Sequence, residues 1–538
     1  EAVHKAEFIR QQYEDYRHFV EGVNDAAGVL ESMLSSKSVQ DTVEAVRTFK
    51  LLRIFGFQAA EPGLRKMLTL LFSKDDAVAR EAVETYEFLY FARGLDADQK
   101  TANLLRLMKG ATLTDLTCLE ELLKRLLASG AVDHKVTKHL ISTYAKQDFS
   151  ALDGMPTEEQ RARLYHARLE QRHALQILRM ITAGNPLKTA DAKGPLMKSS
   201  LEFARFASPD FILIKEAVMI FQCQLASSPA ASLDTATEDD KRYIFTMMQV
   251  LMTTFGTIDT EWLCAAEAVL NAIFGLRSRN AHEYARMLIE RLSRQMAKAS
   301  PPSDMQYTQL FFVVGHVAIK MLAFVDMLEN DLKKAVHGRK DEANGQSEAD
   351  QDLAQVTGGH EAEIESFTQT LSDITEEKLI QEGFLGQFLP QIKAVCQVAA
   401  QRYAPGSMPA GDADRPQTDL LARAAVMALC KMMSVSARIC KEHLALVFQL
   451  LSSRIDFGAK SNIIISLGDL FNRFPNLLNE HSTELFSLLH DDDRNVRRQA
   501  LLVITHLIMN DMLKLKQELV DICMLMHDQD AGIGEQAR

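Results

Sequence analysis

A repeat with a period of 37 residues in the last third of the chain, residues 421–538, constrains the fold more than any other feature. His490 opens the string His-Asp-Asp-Asp, and His527 opens the related string His-Asp-Gln-Asp 37 residues later. Val496 recurs as Ile533 at the same offset. A fixed period in the range of roughly twenty to forty residues is typical of a solenoid, in which each unit buries its apolar face only against its neighbours.

The sequence of one repeat unit indicates which class of solenoid the chain forms. Residues 484–489 form an apolar helix end, and the polar run 491–495 interrupts it. From Val496 onward the apolar residues recur at helical spacing, without the alternation of a β-strand. Two helices, an Asp-containing turn and a Val-Arg opening of the second helix are typical of a HEAT repeat. We therefore predict an all-α fold, a curved HEAT-repeat α-solenoid of stacked antiparallel helix pairs.

The repeated residues are predicted to be structural. An Asp at the turn can cap the second helix and interacts favourably with the positive end of its dipole. The following Arg is placed to bond carbonyls or acidic groups of the neighbouring unit, and the Val or Ile before it faces inward. These structural repeat residues are Asp491, Val496, Arg497, Asp528 and Ile533.

Breaks in the helical pattern divide the chain into five segments. We predict an N-terminal and central HEAT-type solenoid over 1–330, and a flexible charged insertion over 331–363, where hydrophobicity is low. A helical segment that continues the solenoid is predicted over 364–403, and a polar loop over 404–418. Regular HEAT repeats fill 419–538, and we expect the chain to be cut at both ends.

Composition and charge exclude several classes of protein. The net charge of −12 argues against a uniformly basic nucleic-acid binder but leaves room for a local basic groove. The seven cysteines are scattered without a CxxC motif, which predicts buried, reduced thiols and a cytosolic or nuclear compartment. The N-terminus does not look like a signal peptide, and no uninterrupted apolar run predicts a membrane span.

No catalytic motif is present in the sequence. It contains no phosphate-binding G-x-x-x-x-G-K-[ST] loop, no G-x-S-x-G nucleophile elbow and no H-E-x-x-H zinc motif. His316 lies in an almost wholly apolar helix and is interpreted as a core histidine with a polar partner. We therefore expect a binding protein, with no enzymatic activity, cofactor, metal or small-molecule substrate. An unrecognised catalytic site within 331–363 is the alternative.

Several strings beyond the repeat resemble one family, the HEAT subunit of condensin known as condensin complex subunit 1. Residues 461–470 (SNIIISLGDL) with 473–476 (RFPN) resemble the family's "SN-x-x-x-x-LGDL…RFPN". Residues 505–516 (THLIMNDMLKLK) resemble "THLILNDM-x-K-x-K" and follow a "VR" at 496–497. Residues 310–320 (LFFVVGHVAIK) favour the condensin I type, and 63–75 resembles "G-x-RRML…WSK". These blocks occur in family order across nearly the whole chain.

The resemblance implies a non-catalytic subunit of a chromosome-condensing ATPase complex, active in mitosis and located in the nucleus and on chromosomes. Such a subunit binds the kleisin chain along its concave surface, docks onto an SMC ATPase head and helps to grip double-stranded DNA. The turn after "NDM" is the implied head-docking element, which makes Lys514, Lys516 and Gln517 the candidates. Gln517 departs from the family, where this position is Gly, a residue that permits a turn with positive φ.

Basic residues at helical spacing are candidates for contact with DNA. Such groups would give salt-dependent, sequence-independent binding, which we expect to be weak or to depend on partners. A second candidate set lies between Arg161 and Arg179. Each set has an alternative interpretation, a solvated face paired with local Glu. The primary candidates are Arg277, Arg279, Arg286, Arg291, Arg294 and Lys298.

A different HEAT scaffold, such as a nuclear transport receptor or a phosphatase scaffold, is the competing functional class. Periodicity is shared by all of them, so only the family strings argue against this alternative. The kleisin groove has no recognisable sequence signature.

Overall fold

A computed structural model describes most of the chain, and every regular element in the described part is a helix, with no strand. The described residues are 2–92, 94–145, 158–203, 210–226, 235–276, 280–299, 301–343, 366–367, 369–370, 373, 383–404, 415–513 and 519–538. The chain divides into two compact units, Glu1–Thr237 and Glu238–Arg538. This division falls inside the segment 1–330, for which the sequence predicted a single solenoid.

The first unit contains helices that we number α1 to α10. In chain order they are Ala2–Met33, Val39–Ile54, Ala60–Met67, Asp76–Tyr90, Ala97–Met108, Leu113–Ser129, His134–Ala145, Glu158–Gly184, Lys193–Phe203 and Phe211–Ala226. Short 3-10 helices occupy Leu68–Phe72 and Pro186–Ala192. Sequential helices pack on one another, α2 against α4, α5 against α7, and α8 against α6, α7 and α10. The unit is therefore built from local helix–helix contacts, as expected of stacked repeats.

The second unit contains helices that we number α11 to α23. They are Glu238–Thr253, Glu261–Gly275, Ala281–Lys298, Asp304–Ala343, Leu389–Arg402, Arg415–Val435, Ala437–Ser452, Phe457–Arg473, Pro475–Leu478, Ser482–Ser487, Arg494–Met509, Leu519–Leu525 and Ala531–Ala537. Short 3-10 helices occupy Gly386–Phe388, Asn479–His481 and Leu488–His490. Helix α14 packs against α16, α16 against α18, α18 against α21 and α21 against α23, while α15 contacts α16 and α17. The second helices of successive repeats thus form one layer, and the predicted all-α HEAT-repeat solenoid is confirmed.

Aspartates at the polar breaks begin the helices that follow them. Asp75 accepts a hydrogen bond from the Ala77 amide at the start of α4. The same side-chain cap recurs in the second unit at α18, α21 and α23, where the capping residues are Asp456, Asp493 and Asp530. Each cap satisfies an amide that the helix itself leaves unpaired. The Asp-containing breaks therefore stop one helix and begin the next.

Helix α14 contains a long apolar segment in its first two thirds. Its segment Asp304–Asp331 is long and apolar enough to cross a membrane by length and composition, and 56% of its most apolar window is buried within the protein. An ideal Cβ on Gly315 would lie 2.7 Å from the Cα of Ala428 on α16. Because real side-chain carbons do not approach a backbone atom so closely, only glycine allows α14 and α16 to pack at this distance. The packing is that of a core helix.

Two predicted boundaries do not coincide with helix ends. Helix α14 continues to Ala343, beyond the predicted boundary at 330, and α16 begins at Arg415, inside the predicted loop 404–418. Residues 331–343 are rich in Lys, Ala, Glu and Asp. Such polarity indicates solvent exposure, but Lys, Ala and Glu are also good helix formers, so a polar stretch can remain helical. Residues 344–365 and 405–414 lie outside the described part.

The seven cysteines are free thiols, and most are shielded. Burial raises the pKa of Cys430 to about 12 and that of Cys440 to about 11. Cys118 and Cys396 are also buried, whereas Cys523 is exposed, which contradicts the prediction of a buried thiol there. Cys523 lies on the short helix α22, in which Leu525 is the buried residue. With one buried position in seven residues, most of the surface of that helix is accessible to solvent.

Candidate partner-binding and nucleic-acid surfaces

Arg497 connects two successive repeats of the second unit. Its Nε and Nη2 donate hydrogen bonds to the two carboxylate oxygens of Asp528 at 2.8 and 3.1 Å. Its Nη1 donates to the backbone carbonyl of Asp491 at 2.9 Å. These bonds to the carboxylate hold the pKa of Asp528 below its ordinary value. The bidentate contact joins α21 to the turn before α23 and sets their relative position.

The same contact occurs in the two preceding repeats. Lys460 Nζ lies 3.0 Å from Asp491 Oδ2, and Arg423 Nε lies 2.8 Å from Asp456 Oδ2. Arg423, Lys460 and Arg497 are successive members of the 37-residue series. We call the three pairs Arg423–Asp456, Lys460–Asp491 and Arg497–Asp528 the repeat ladder. The charges of the repeat ladder are therefore engaged in contacts between successive repeats.

In the last two repeats, each turn contains one aspartate that accepts the ladder contact and a different one that caps the next helix. Asp491 and Asp528 accept the ladder contact, and each also accepts a hydrogen bond from the backbone amide two residues later. The helix caps are instead the last aspartates of each string, at 493 and 530. Val496 and Ile533, which follow these caps, are completely buried. The predicted repeat residues thus occupy inter-repeat contacts and the core.

Helix α13 presents a basic face to solvent. Arg286, Arg291, Arg294 and Lys298 are all exposed, while Leu288, Ile289 and Leu292 are buried on the opposite side. Glu290 pairs with two of the arginines, with Nε of Arg286 at 3.7 Å and Nη2 of Arg294 at 3.1 Å. Both the DNA-binding interpretation and its alternative, a face paired with local Glu, therefore have support on this helix. Arg277 and Arg279 lie outside the described residues.

Two arginines of the second candidate set, between Arg161 and Arg179, are turned into the protein. Arg172 Nε donates to Asp210 at 2.9 Å. Arg179 pairs with Glu120 at 3.1 Å and lies 2.9 Å from Glu216, in a geometry that makes an ion pair without a hydrogen bond. Burial raises the pKa of Glu216 although Arg179 opposes the shift. These two arginines stabilise buried carboxylates and are not surface contacts for DNA. The side chains of Arg161 and Arg163 lie outside the described part.

The predicted head-docking residues, Lys514, Lys516 and Gln517, lie outside the described residues. The turn that precedes them is well defined. Asp511 has a φ of 57°, its amide donates to the Ile508 carbonyl, and the Met512 amide donates to the Leu507 carbonyl. This pair of bonds is a Schellman motif, in which the left-handed position is usually glycine. The string Asn-Asp-Met therefore ends α21 with a non-glycine residue in the left-handed region.

His316 is a core histidine, as predicted. Its Nε2 lies 3.0 Å from Oδ1 of Asn271, and its ring stacks on Phe312 with the centroids 5.8 Å apart. Burial, together with nearby Lys431 and Lys320, lowers its pKa to about 3, so the ring is neutral. Across the described ranges, no group of three His, Cys, Asp or Glu side chains is arranged to hold a metal ion.

Comparison with protein families gives a match at the C-terminal repeats. Residues 459–538 match the family described as "Cnd1: non-SMC mitotic condensation complex subunit 1". Among solved structures, the chain is similar to the Chaetomium thermophilum cohesin loader SCC2, C-terminal fragment, with a TM-score of 0.58 and 12% identity. That match covers 95% of this chain and 34% of the SCC2 chain. At this identity the likeness concerns the fold alone, and it agrees with a helical solenoid.

Curated relatives extend the match along the chain. Condensin complex subunit 1 of Xenopus laevis is 26% identical over 567 residues, which covers 99% of this chain and 39% of the relative. Condensin complex subunit 1 of Saccharomyces cerevisiae is 22% identical over 568 residues, which covers 98% of this chain and 46% of the relative. The chain therefore spans less than half the length of these relatives. The resemblance stated from the sequence is thus confirmed: over nearly its whole length the chain is similar to condensin complex subunit 1.

Proposed function

We propose that this chain is a non-catalytic scaffold of a condensin complex, which binds the kleisin subunit and an SMC ATPase head and assists DNA engagement in mitotic chromosome condensation. The similarity to condensin complex subunit 1 over nearly the whole chain carries this proposal. The fold supports it, because a solenoid exposes a long surface relative to its mass and commonly holds other chains. The same relatives favour condensin over a transport receptor or a phosphatase scaffold, and they imply a nuclear and chromosomal location.

Binding to the kleisin is the first test. The chain is presented to overlapping peptides that tile the kleisin subunit of the same organism, and binding is measured by pull-down and then by titration. We expect binding at micromolar or better to one central segment. If no segment binds, and co-expression with the whole kleisin also yields no complex, the chain is a HEAT scaffold of another kind.

Docking onto the SMC head is assigned to the segment after α21. The double variant Lys514→Glu/Lys516→Glu should weaken capture of the isolated SMC head while leaving kleisin binding intact. The matched control is Lys135→Glu/Lys138→Glu, which reverses two exposed lysines on α7 at a similar spacing. If both double variants capture the head as well as the unaltered chain does, the assignment to this segment is wrong.

DNA engagement is assigned to the basic face of α13. The triple variant Arg286→Glu/Arg291→Glu/Arg294→Glu should weaken binding to double-stranded DNA and reduce the slope of log K against log salt by roughly 3, about one for each phosphate that is no longer neutralised. The control reverses three exposed charges on α1, as Lys5→Glu/Arg10→Glu/Arg17→Glu. If the salt slope changes equally in both variants, the basic face of α13 is a solvated surface with no specific role in DNA binding.

A further inference from the structure

Helix α1 carries an apolar seam along its length. Apolar and aromatic residues recur at alternating steps of three and four residues, which is the a and d pattern of a coiled coil. The pattern is sustained over about four heptads and indicates a helix that packs against another helix along a narrow stripe. The a positions are Ala6, Tyr13, Val20, Ala27 and Leu34, and the d positions are Ile9, Tyr16, Val23 and Leu30.

The two halves of this seam have different surroundings. In the C-terminal half, Ala27 and Leu34 are buried, and Val23 and Leu30 pack against the core of the first unit. In the N-terminal half, every a and d residue from 6 to 20 is exposed. We call these residues the exposed seam. It continues, on the same face of one helix, an interface that is already formed further along.

The exposed seam presents large side chains that a packed helix would bury. Tyr13 and Tyr16 are 72% and 67% exposed, and Ile9 and Val20 are exposed as well. Between residues 4 and 22, all of which the structure describes, no side chain is buried. Helices in proteins gain most of their stability from packing an apolar face, and about fifteen residues alone are only marginally helical in water. A partner that covers the exposed seam would therefore also stabilise this half of α1.

The residues that flank the exposed seam select the kind of partner. Positions e and g of a heptad face positions e and g of the partner helix. Beside the exposed seam these positions hold three basic residues, Lys5, Arg10 and Arg17, and no acidic one. Arg10 and Arg17 lie 3.6 and 3.5 Å from Glu14 and Glu21, one turn further along α1, in exposed pairs that contribute little. The flanks are therefore complementary to acidic residues.

Charge also argues against two other occupants. A second copy of the chain would set basic flanks against basic flanks, in a parallel or an antiparallel pair, and like charges oppose such pairing. For a nucleic acid, the charge of the whole helix segment matters. Residues 4–21 contain three Lys or Arg and four Asp or Glu, a net charge of −1, which gives no net attraction for phosphate.

We propose that the exposed seam binds an amphipathic helix of a partner chain that has acidic residues at its e and g positions. The apolar residues of that helix pack between Ile9, Tyr13 and Tyr16, and its carboxylates pair with Arg10 and Arg17. The exposed seam is separate from the repeat ladder, the basic face of α13 and the segment after α21. The proposal does not rest on the assignment to condensin.

Two designed peptides test this proposal. Each is about three heptads long with Ile at a and Leu at d, and one has Glu at every e and g position where the other has Lys. Both are titrated against the chain by fluorescence anisotropy. We expect the acidic peptide to bind at least about 10-fold more tightly, since it meets three opposite charges where the basic peptide meets three like charges. It should also slow hydrogen exchange of amides 6–20.

Substitutions in the exposed seam test where the peptide binds. Tyr13→Ala/Tyr16→Ala should weaken binding of the acidic peptide at least about 10-fold, because two large side chains leave the interface. Alanine is a strong helix former, so the helix itself is not weakened. The matched control is Gln11→Ala/His18→Ala, which changes two exposed residues on the opposite side of α1 and should bind as the unaltered chain does.

Charge reversal tests the flanks. The variant Lys5→Glu/Arg10→Glu/Arg17→Glu should invert the preference, so that the basic peptide binds more tightly than the acidic one. This variant is also the control for DNA binding, and there it should behave as the unaltered chain does. The two assays therefore separate a failure of this proposal from a failure of the DNA assignment to α13.

The proposal is overturned if the acidic peptide does not bind, or if the tyrosine variant and its control bind it equally well. Sedimentation could also overturn it, by showing a dimer of the unaltered chain that Tyr13→Ala/Tyr16→Ala converts to a monomer, because a second copy would then occupy the exposed seam. Protection of amides 6–20 with no peptide added, in this chain or in any longer form of it, would mean that the protein covers its own seam and would likewise overturn it.

Discussion

The two units use ion pairs in opposite ways. In the first unit, Arg179 approaches Glu216, whose side chain is almost completely buried, and the remaining partners of these residues follow no repeat. In the second unit, each of the three pairs of the repeat ladder joins two successive repeats. The pKa values differ accordingly, because burial raises that of Glu216 and hydrogen bonds from Arg497 lower that of Asp528. In the regular repeats, each of these charges is thus stabilised by an opposite charge of the adjacent repeat.

Removal of Arg179 should have the largest effect. Arg179→Met leaves Glu216 buried without its principal partner, and breaking such a pair costs about 3 kcal/mol or more. Hydrogen exchange of the amides in α8 and α10 should report the loss, while exchange in the second unit stays unchanged. The double variant Arg179→Met/Glu216→Met should recover most of the stability, because no charge then remains buried. A double variant as unstable as the single one would show that packing, and not the buried charge, is responsible.

Disrupting the close packing of α14 and α16 should have the second-largest effect on stability. Gly315→Ala places a Cβ 2.7 Å from the Cα of Ala428, and overpacking of this kind costs about 2 kcal/mol. Exchange of amides in α14 and α16 would detect it. Gly22→Ala on α1, where an added Cβ meets no atom within 4 Å, is the matched control and should not destabilise its helix. Equal protection of α14 and α16 before and after the change at Gly315 would contradict the proposed contact.

Removing a contact of the repeat ladder should have the third-largest effect on stability. Arg497→Met removes the bidentate contact to Asp528, which lies in a turn between two exposed residues and keeps a bond from the Asp530 amide, so we expect a loss of about 1.5 kcal/mol. The control is Arg494→Met, because Arg494 is exposed and its distance to Asp530 is 3.7 Å, a surface pair worth about 0.5 kcal/mol or less. The comparison between units fails if Arg497→Met destabilises as strongly as Arg179→Met.

A fall in pH should change the stability of the two units in opposite directions, and by less than the substitutions above. The raised pKa of Glu216 means that the folded first unit binds this proton more tightly, so its stability rises as the pH falls through that pKa toward 4.5. The lowered pKa of Asp528 means that its contribution is present above 3.8 and is lost as the pH falls through the depressed value. Hydrogen exchange measured against pH, with Glu216→Gln and Asp528→Asn as controls, should show both trends. If the stability of both units changed with pH in the same direction, the proposed difference between their ion pairs would be wrong.

Regular features were predictable from the sequence, and irregular ones were not. The offset of 37 residues predicted the solenoid and located Arg497 and Asp528 as members of one series. The apolar run around His316 predicted a core histidine with a polar partner, which is Asn271. By contrast, Arg172 and Arg179 have the spacing of an exposed stripe, yet they face carboxylates from other helices. Their partners follow no sequence period, so only the packing reveals them.

A groove lined by residues of α15 and α17 had no signal in the sequence. Gln397 and Gln449 are 52 residues apart, and neither lies in the repeated string. Glutamine is also common on solvated helix faces, where it carries no functional meaning. The unpaired Nε2 of His443 depends on a ring orientation that no pattern of residues specifies.

The sequence by itself determined the helical class, the repeat period, the Asp caps and the family to which the chain is related. These properties depend on contacts within a helix or between adjacent repeats, where residue spacing and geometry are tied by the helical period. Only the tertiary structure decided which charges are buried, which basic face is exposed, how closely α14 and α16 approach, and where the groove lies. Those properties depend on which helices become neighbours and at what distance, and the free energy of that packing is shared among residues far apart in the chain.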